Sequence, residues 1–283
     1  MVSEQQTPRR TGRPLLRLLG IIAAVLIALL ALNAAAWALR STERDTFPVD
    51  DAFDRVEIDV DAGQVTLEAA SDGSPSLTAE TEAALFSTAD VSYEVVDGRL
   101  VVSGDCDRGI WLVGGFNCRT DVTLRLPADI DVVAKSSAGR VTAAGLDGAA
   151  NLESSAGSVL VTDHTGELQV RSSAGGVRVN GQDGPLRAHS SAGGVEVTGL
   201  RSDDAEITSS AGGVTVTAVT PPQHLVVSSS AGGATVTLPG GESYNLDANS
   251  SAGSTNVNVP TDPNSPYRVE VKSSAGGVTV RAG

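Results

Sequence analysis

Over most of the chain apolar and polar residues alternate with a period of two, and one tetrapeptide, S-S-A-G, punctuates the alternation. It begins at Ser136, Ser154, Ser172, Ser190, Ser209, Ser229, Ser250 and Ser273, at spacings of 18, 18, 18, 19, 20, 21 and 23 residues. Two positions before the copies stand Ala134, Leu152, Val170, Ala188, Ile207, Val227, Ala248 and Val271, all apolar. The column four positions before is apolar too, whereas Lys135, Glu153, Arg171, His189 and their equivalents directly before the motif are polar. After the motif Val141, Val159, Val177, Val195, Val214, Ala234, Thr255 and Val278 form one inward column, and Ala143 to Val280 a second. A period of two places alternate side chains on one face of a strand. Each repeat therefore reads as strand, S-S-A-G corner, strand and variable loop.

One such unit buries too little apolar surface to fold alone, so successive units must stack, each strand pairing with its equivalent in parallel. The predicted fold class is all-β: a parallel β-solenoid, β-helix-like, of stacked 18–23-residue coils. By parity the first Ser and the Ala of each corner should point inward, the Ser as a hydroxyl ladder, with Gly supplying a dihedral that a Cβ would resist. Residues 56–67 match the pattern column for column, and residues 91–102, with Asp97-Gly98 as a turn, suit a further coil or a β-hairpin. Residues 47–128 read as degenerate coils and hairpins capping the array. With Gly283 three residues after Val280, the last coil is expected to expose a strand edge and apolar surface.

Ahead of the β region the pattern changes. Residues 18–39 carry no charge and only Asn33 as a strongly polar residue, enough to span about 30 Å as a helix. Arg9, Arg10, Arg13 and Arg17 precede this stretch and Trp37 lies near its far end, which predicts a cytoplasmic N-terminus. The alternative is a cleavable signal peptide, since 34–36 and 36–38 both fit an A-x-A site. Either reading exports the rest. The expected organisation is a basic cytoplasmic tail (1–17), a transmembrane signal anchor (18–39), a membrane-proximal β region (40–128) and the S-S-A-G solenoid (129–283).

Composition and charge narrow the function. Aromatic residues make up 3% of the chain, which suits thin layers of small and β-branched side chains. The net charge of −14 divides into +4 over residues 1–40 and −18 beyond them, a surface that repels nucleic acid. Cys106 and Cys118, flanking a segment with Gly109, Gly114 and Gly115, are expected to form a disulfide in an exported region, and two cysteines alone make a poor zinc site. Neither a metal nor a cofactor is called for. The repeated Ser pairs lack the elbow and base of a nucleophile and read as structural corners. His164 and His224 fall in predicted loops and His189 on an outward column. The carboxylates of Asp183, Asp203, Asp204 and Glu206 read as a solvated acidic face, without a cleft on which a hydrolytic pair could converge. Outward Thr215 and Thr217 neighbour Thr235 and Thr237, an array that resembles ice-binding surfaces but follows more simply from the β-propensity of Thr.

An exported helix followed by S-S-A-G-G-V-x-V units resembles the bacterial β-strand-repeat family of unknown function usually labelled "putative adhesin", over residues 50–283. The resemblance implies a β-solenoid outside a bacterial membrane and brings no catalytic residues. The expected function is a non-enzymatic cell-envelope module, adhesin-like, engaging a protein or a cell-wall glycan. The alternative is a sensory or scaffolding partner of another membrane protein, with a polysaccharide-acting enzyme more distant. The candidate contact residues are Arg171, His189, Thr215, Thr217, Thr235 and Thr237, and the last coil is a candidate for self-association.

Overall fold

The computed structural model describes residues 13–38, 41–49, 51–71, 73–83, 87–107 and 118–283. Arg9, Arg10, the side chains of Arg13, Arg17 and Trp37, and Gly109, Gly114 and Gly115 lie outside the described residues. Helix α1 covers Arg13–Ala38. Its window Leu18–Ala35 has a mean hydropathy of 2.6 and none of it is buried against protein. Asn33 turns its amide onto the Leu29 carbonyl of the preceding turn, so its polar group is satisfied within the helix.

The β region that follows α1 in the chain contains β1 (Ser41–Pro48), β2 (Arg55–Ala62), β3 (Val65–Ala69), β4 (Ser76–Ala83), β5 (Thr88–Val96), β6 (Arg99–Asp107) and β7 (Cys118–Leu126). Two strands per coil follow. Coil one is β8 (Asp131–Ala138) and β9 (Val141–Ala144), coil two β10 (Ala150–Ser154) and β11 (Val159–Thr165), and coil three β12 (Leu168–Ser172) and β13 (Val177–Asp183). Coil four is β14 (Leu186–Ser190) and β15 (Val195–Arg201), coil five β16 (Asp204–Ser209) and β17 (Val214–Ala218), and coil six β18 (His224–Ser229) and β19 (Ala234–Leu238). Coil seven is β20 (Asn245–Ser250) and β21 (Thr255–Asn258), and coil eight β22 (Arg268–Ser273) and β23 (Val278–Ala282).

The first strands of the coils build an 11-stranded sheet and the second strands a 12-stranded sheet. The S-S-A-G corner joins the two. Pairing between coils is parallel and in register, as in Val159↔Val177 and Ser172↔Ser190. The inward columns close into one core in which Val170, Val179, Val197, Ile207, Val216 and Val236 are fully buried. Residues 56–67 stack as a coil beside coil one, with Val56↔Val132 and Val65↔Val141. Residues 91–102 form a hairpin rather than a coil. Asp97 and Gly98 both have positive φ, 51° and 73°, which matches the right-handed twist of two antiparallel strands. Further antiparallel pairs, β1 with β4 and β4 with β7, finish the other sheet at this end.

At the far end the order departs from the expectation. The sheets run β18-β22-β20 and β19-β23-β21, so coil eight lies between coils six and seven. The expected exposed edge on the last coil is therefore incorrect: Val269, Val271, Val278 and Val280 are buried. Coil seven is the outer rung instead, with Leu246 and Ala248 half-buried, Thr255 exposed and Val257 at 41% exposure. The physical reason lies in composition. An edge rung covers its inward residues on one side only, and full burial of a Val contributes about 1.5–3 kcal/mol. Coil seven has Ala and Thr where coil eight has Val, so this order leaves the less apolar rung at the edge.

Candidate functional site

The corner comes first, because it fixes where outward side chains stand. The first Ser of every motif except Ser250 is buried, and each hydroxyl donates to the Gly carbonyl of the neighbouring rung. Ser190 Oγ lies 2.8 Å from Gly175 O and also accepts the Gly193 N–H at 2.9 Å. The hydroxyls thus bond backbone rather than one another. The Ala of the motif is exposed, not inward, because the chain turns at the second Ser. The first Gly serves close approach rather than dihedral. A Cβ on Gly193 would lie 2.3 Å from Gly175 O, and none of the repeat-corner glycines is among those with positive φ. The second Gly is different: a Cβ on Gly194 would stand 3.1 Å from Gly213 O.

A third inward column, missed in the sequence, lies at the far end of the second strand. It contains Leu146, His164, Gln182 and Leu200. His164 is in β11 and buried, not in a loop, because the strand runs on to Thr165. Gln182 donates its amide to Gly166 O at 2.7 Å, so its oxygen accepts the His164 Nδ1–H at 3.0 Å. Nε2 of His164 has no hydrogen-bond partner among the described residues, and burial lowers the pKa of the ring. Two polar residues in an apolar column break the periodic signal that reveals the others. His224 opens β18 rather than lying in a loop, and its Nδ1 meets Asp204 Oδ1 at 3.0 Å on the surface.

The outward columns form two long polar faces. On the 12-stranded sheet a groove of about 530 Å³ is lined by Arg140, Leu160, Arg178, Glu196 and Thr215 over Gly176, Gly194 and Gly213. Arg178 pairs with Glu196 at 2.8 Å. Thr215 pairs with Thr235 and Thr217 with Thr237. The insertion of coil eight then places Thr279 beside Thr235 and Arg281 beside Thr237. The Thr column thus gains a third member that sequence order assigned elsewhere.

On the 11-stranded sheet a groove of about 280 Å³ has Gln169, Arg171, Arg187, His189 and Thr208 in its wall, with Glu206 as its one carboxylate. Arg171 and His189 are register partners. His189 is half-buried rather than exposed, since Nδ1 meets Thr208 Oγ1 at 2.8 Å. Arg187 lies 3.7 Å from Glu167. This is a basic patch on a strongly acidic region. The acidic residues Asp183, Asp203 and Asp204 are exposed, and no cluster of three or more metal-ligating side chains occurs among the described residues.

Cys106 on β6 and Cys118 on β7 form a disulfide with Cα atoms 5.7 Å apart, joining the two sheets at the end of the stack formed by β1 to β7. The stacked coils, their corners and this end account for residues 53–282, the span that matches the family model Toastrack DUF4097. The chain belongs to the Toastrack DUF4097 family. Solved structures similar to this Toastrack chain include one from Bacteroides fragilis described as a "putative adhesin", 14% identical, covering 86% of this chain and 97% of that one, with a TM-score of 0.39. Another "putative adhesin", from Parabacteroides merdae, is 12% identical, with 86% and 96% covered and a TM-score of 0.40. A "putative lipid binding protein" from Parabacteroides distasonis is 12% identical, with 86% and 97% covered and a TM-score of 0.29. No curated protein matches this Toastrack chain.

Proposed function

We propose that this protein is a non-enzymatic, membrane-anchored interaction module whose α1 crosses the cytoplasmic membrane with the solenoid on the outer side. Residues 1–17 are then the cytoplasmic tail. The observation that carries the reading is the pair of ordered outward faces. Their side chains are held in register over a packed core, and Arg171, Arg187 and His189 gather in one groove of an otherwise acidic region. A rigid array of this kind suits repeated contacts with a macromolecule. The basic groove suits an anionic segment of a cell-wall glycan or of a partner protein, held by charge-assisted hydrogen bonds.

The test is photo-crosslinking of the full chain in its own cells, with probes at Gln169, beside the groove cations, and at Thr215. Capture of wall polymer or a foreign surface supports the adhesin-like reading. Capture of one defined membrane protein supports the scaffolding alternative. Turnover of a polysaccharide or peptide by the purified chain contradicts the non-enzymatic reading.

A further inference from the structure

Coil eight occupies a slot one rung wide, and both walls of that slot read it by contacts common to every coil. Against coil six it pairs Leu225↔Val269, Val227↔Val271 and Val236↔Val280. Against coil seven it pairs Leu246↔Val269 and Val257↔Val280. The corner bonds repeat as well: Ser273 Oγ donates to Gly232 O at 2.9 Å, and Ser250 Oγ to Gly276 O at 2.7 Å. None of these contacts depends on coil eight being covalently continuous with the coil seven it touches.

The connection from coil six to coil seven is zipped to the connection from coil seven to coil eight. Tyr244 N–H donates to Pro260 O at 3.0 Å, Asp262 N–H to Tyr244 O at 3.0 Å and Ser265 Oγ to Ser243 O at 2.7 Å. Tyr244 is fully buried and its hydroxyl donates to Pro239 O at 2.8 Å. The segment 259–267 that leads into coil eight contains Pro260, Pro263 and Pro266. Its nine residues reach up to about 30 Å when extended. A short, proline-stiffened connection into an element that docks by generic contacts is the arrangement in which exchange between copies costs little.

We propose that the slot between coils six and seven is a docking site for coil eight of a second copy of this chain, and that two copies associate by reciprocal exchange of residues 268–282. The partner is thus chemically defined: an S-S-A-G-G-V-x-V coil that supplies Val269, Val271, Val278 and Val280 to the core and Ser273 to Gly232 O.

Thr235 and Thr279 are register partners across the wall of the slot, both on the outward face. Two full-length chains with different tags, one Thr235→Cys and one Thr279→Cys, are unfolded together, refolded in detergent and treated with a short bis-maleimide that leaves the native disulfide intact. The expected result is a product of twice the chain mass carrying both tags. Two controls complete the test: a Thr235→Cys/Thr279→Cys double variant for bridging within one chain, and a mixture with Thr235→Cys in both copies. Bridging only within the double variant overturns exchange. Failure of that variant to bridge overturns the slot itself, and an equal two-chain product from the Thr235→Cys mixture shows unspecific contact and overturns the proposal too.

Discussion

Each corner is held by a hydroxyl that donates to the neighbouring rung, and those of Ser154, Ser172, Ser190 and Ser209 also accept an N–H from their own corner. Removing one such hydroxyl leaves a buried carbonyl and N–H without their partner, a loss of about 1–3 kcal/mol. Ser190→Ala is therefore expected to lower the stability of the β region by that amount, read as a fall in the urea midpoint. The two glycines behind it should separate cleanly. Gly193→Ala forces a Cβ to 2.3 Å from a backbone oxygen, whereas Gly194→Ala has 3.1 Å and shifts of tenths of an ångström suffice. Loss of folded protein with the first and near-wild-type melting with the second is the expected outcome of thermal unfolding. His164 gives the acid response. Its folded pKa lies below 6.5 because burial disfavours the charged ring. Between the two pKa values the unfolded chain binds more protons, so stability is complete above about pH 6.5 and declines as pH falls below it. His164→Leu, in a column flanked by Leu146 and Leu200, should shrink the difference in urea midpoint between pH 5 and pH 7.

The strand-corner-strand unit is legible in the sequence because two inward columns are apolar at every repeat, from Val132 and Ala134 to Val269 and Val271. The third column is not, since His164 and Gln182 are polar, bond each other inside the core and leave no hydrophobic mark. The basic groove was half legible: Arg187 and His189 alternate onto one outward face of a strand, but Arg171 joins them only once the rungs are stacked. Order along the stack is the least legible property, because every coil obeys the same column rules and so fits beside any other. What decides it is the composition of whole rungs and the connections around Tyr244 and Pro260. At the opposite end the two sheets are linked covalently. Closing a loop of this size constrains the unfolded chain, typically by 2–4 kcal/mol. Cys106→Ser with Cys118→Ser is expected to lower stability by about that amount without changing the circular dichroism of the folded state.

At the scale of the molecule the architecture is a helix suited to a membrane followed by a rod with two ordered faces. The function proposed for it rests on those faces, and binding through the basic groove should weaken several-fold with Arg171→Glu and Arg187→Glu, and with added salt. Both the faces and the coil slot depend on one structural claim, the rung order six, eight, seven. Spin labels at Thr235 and Asn256 test it most directly. With coil eight between them the two backbones are two strand spacings apart, about 9.6 Å, whereas stacking in sequence order brings them to about 4.8 Å. Weak dipolar broadening, with strong broadening between labels at Thr235 and Thr279, is the result predicted by the inserted coil. Strong broadening between Thr235 and Asn256 would contradict it.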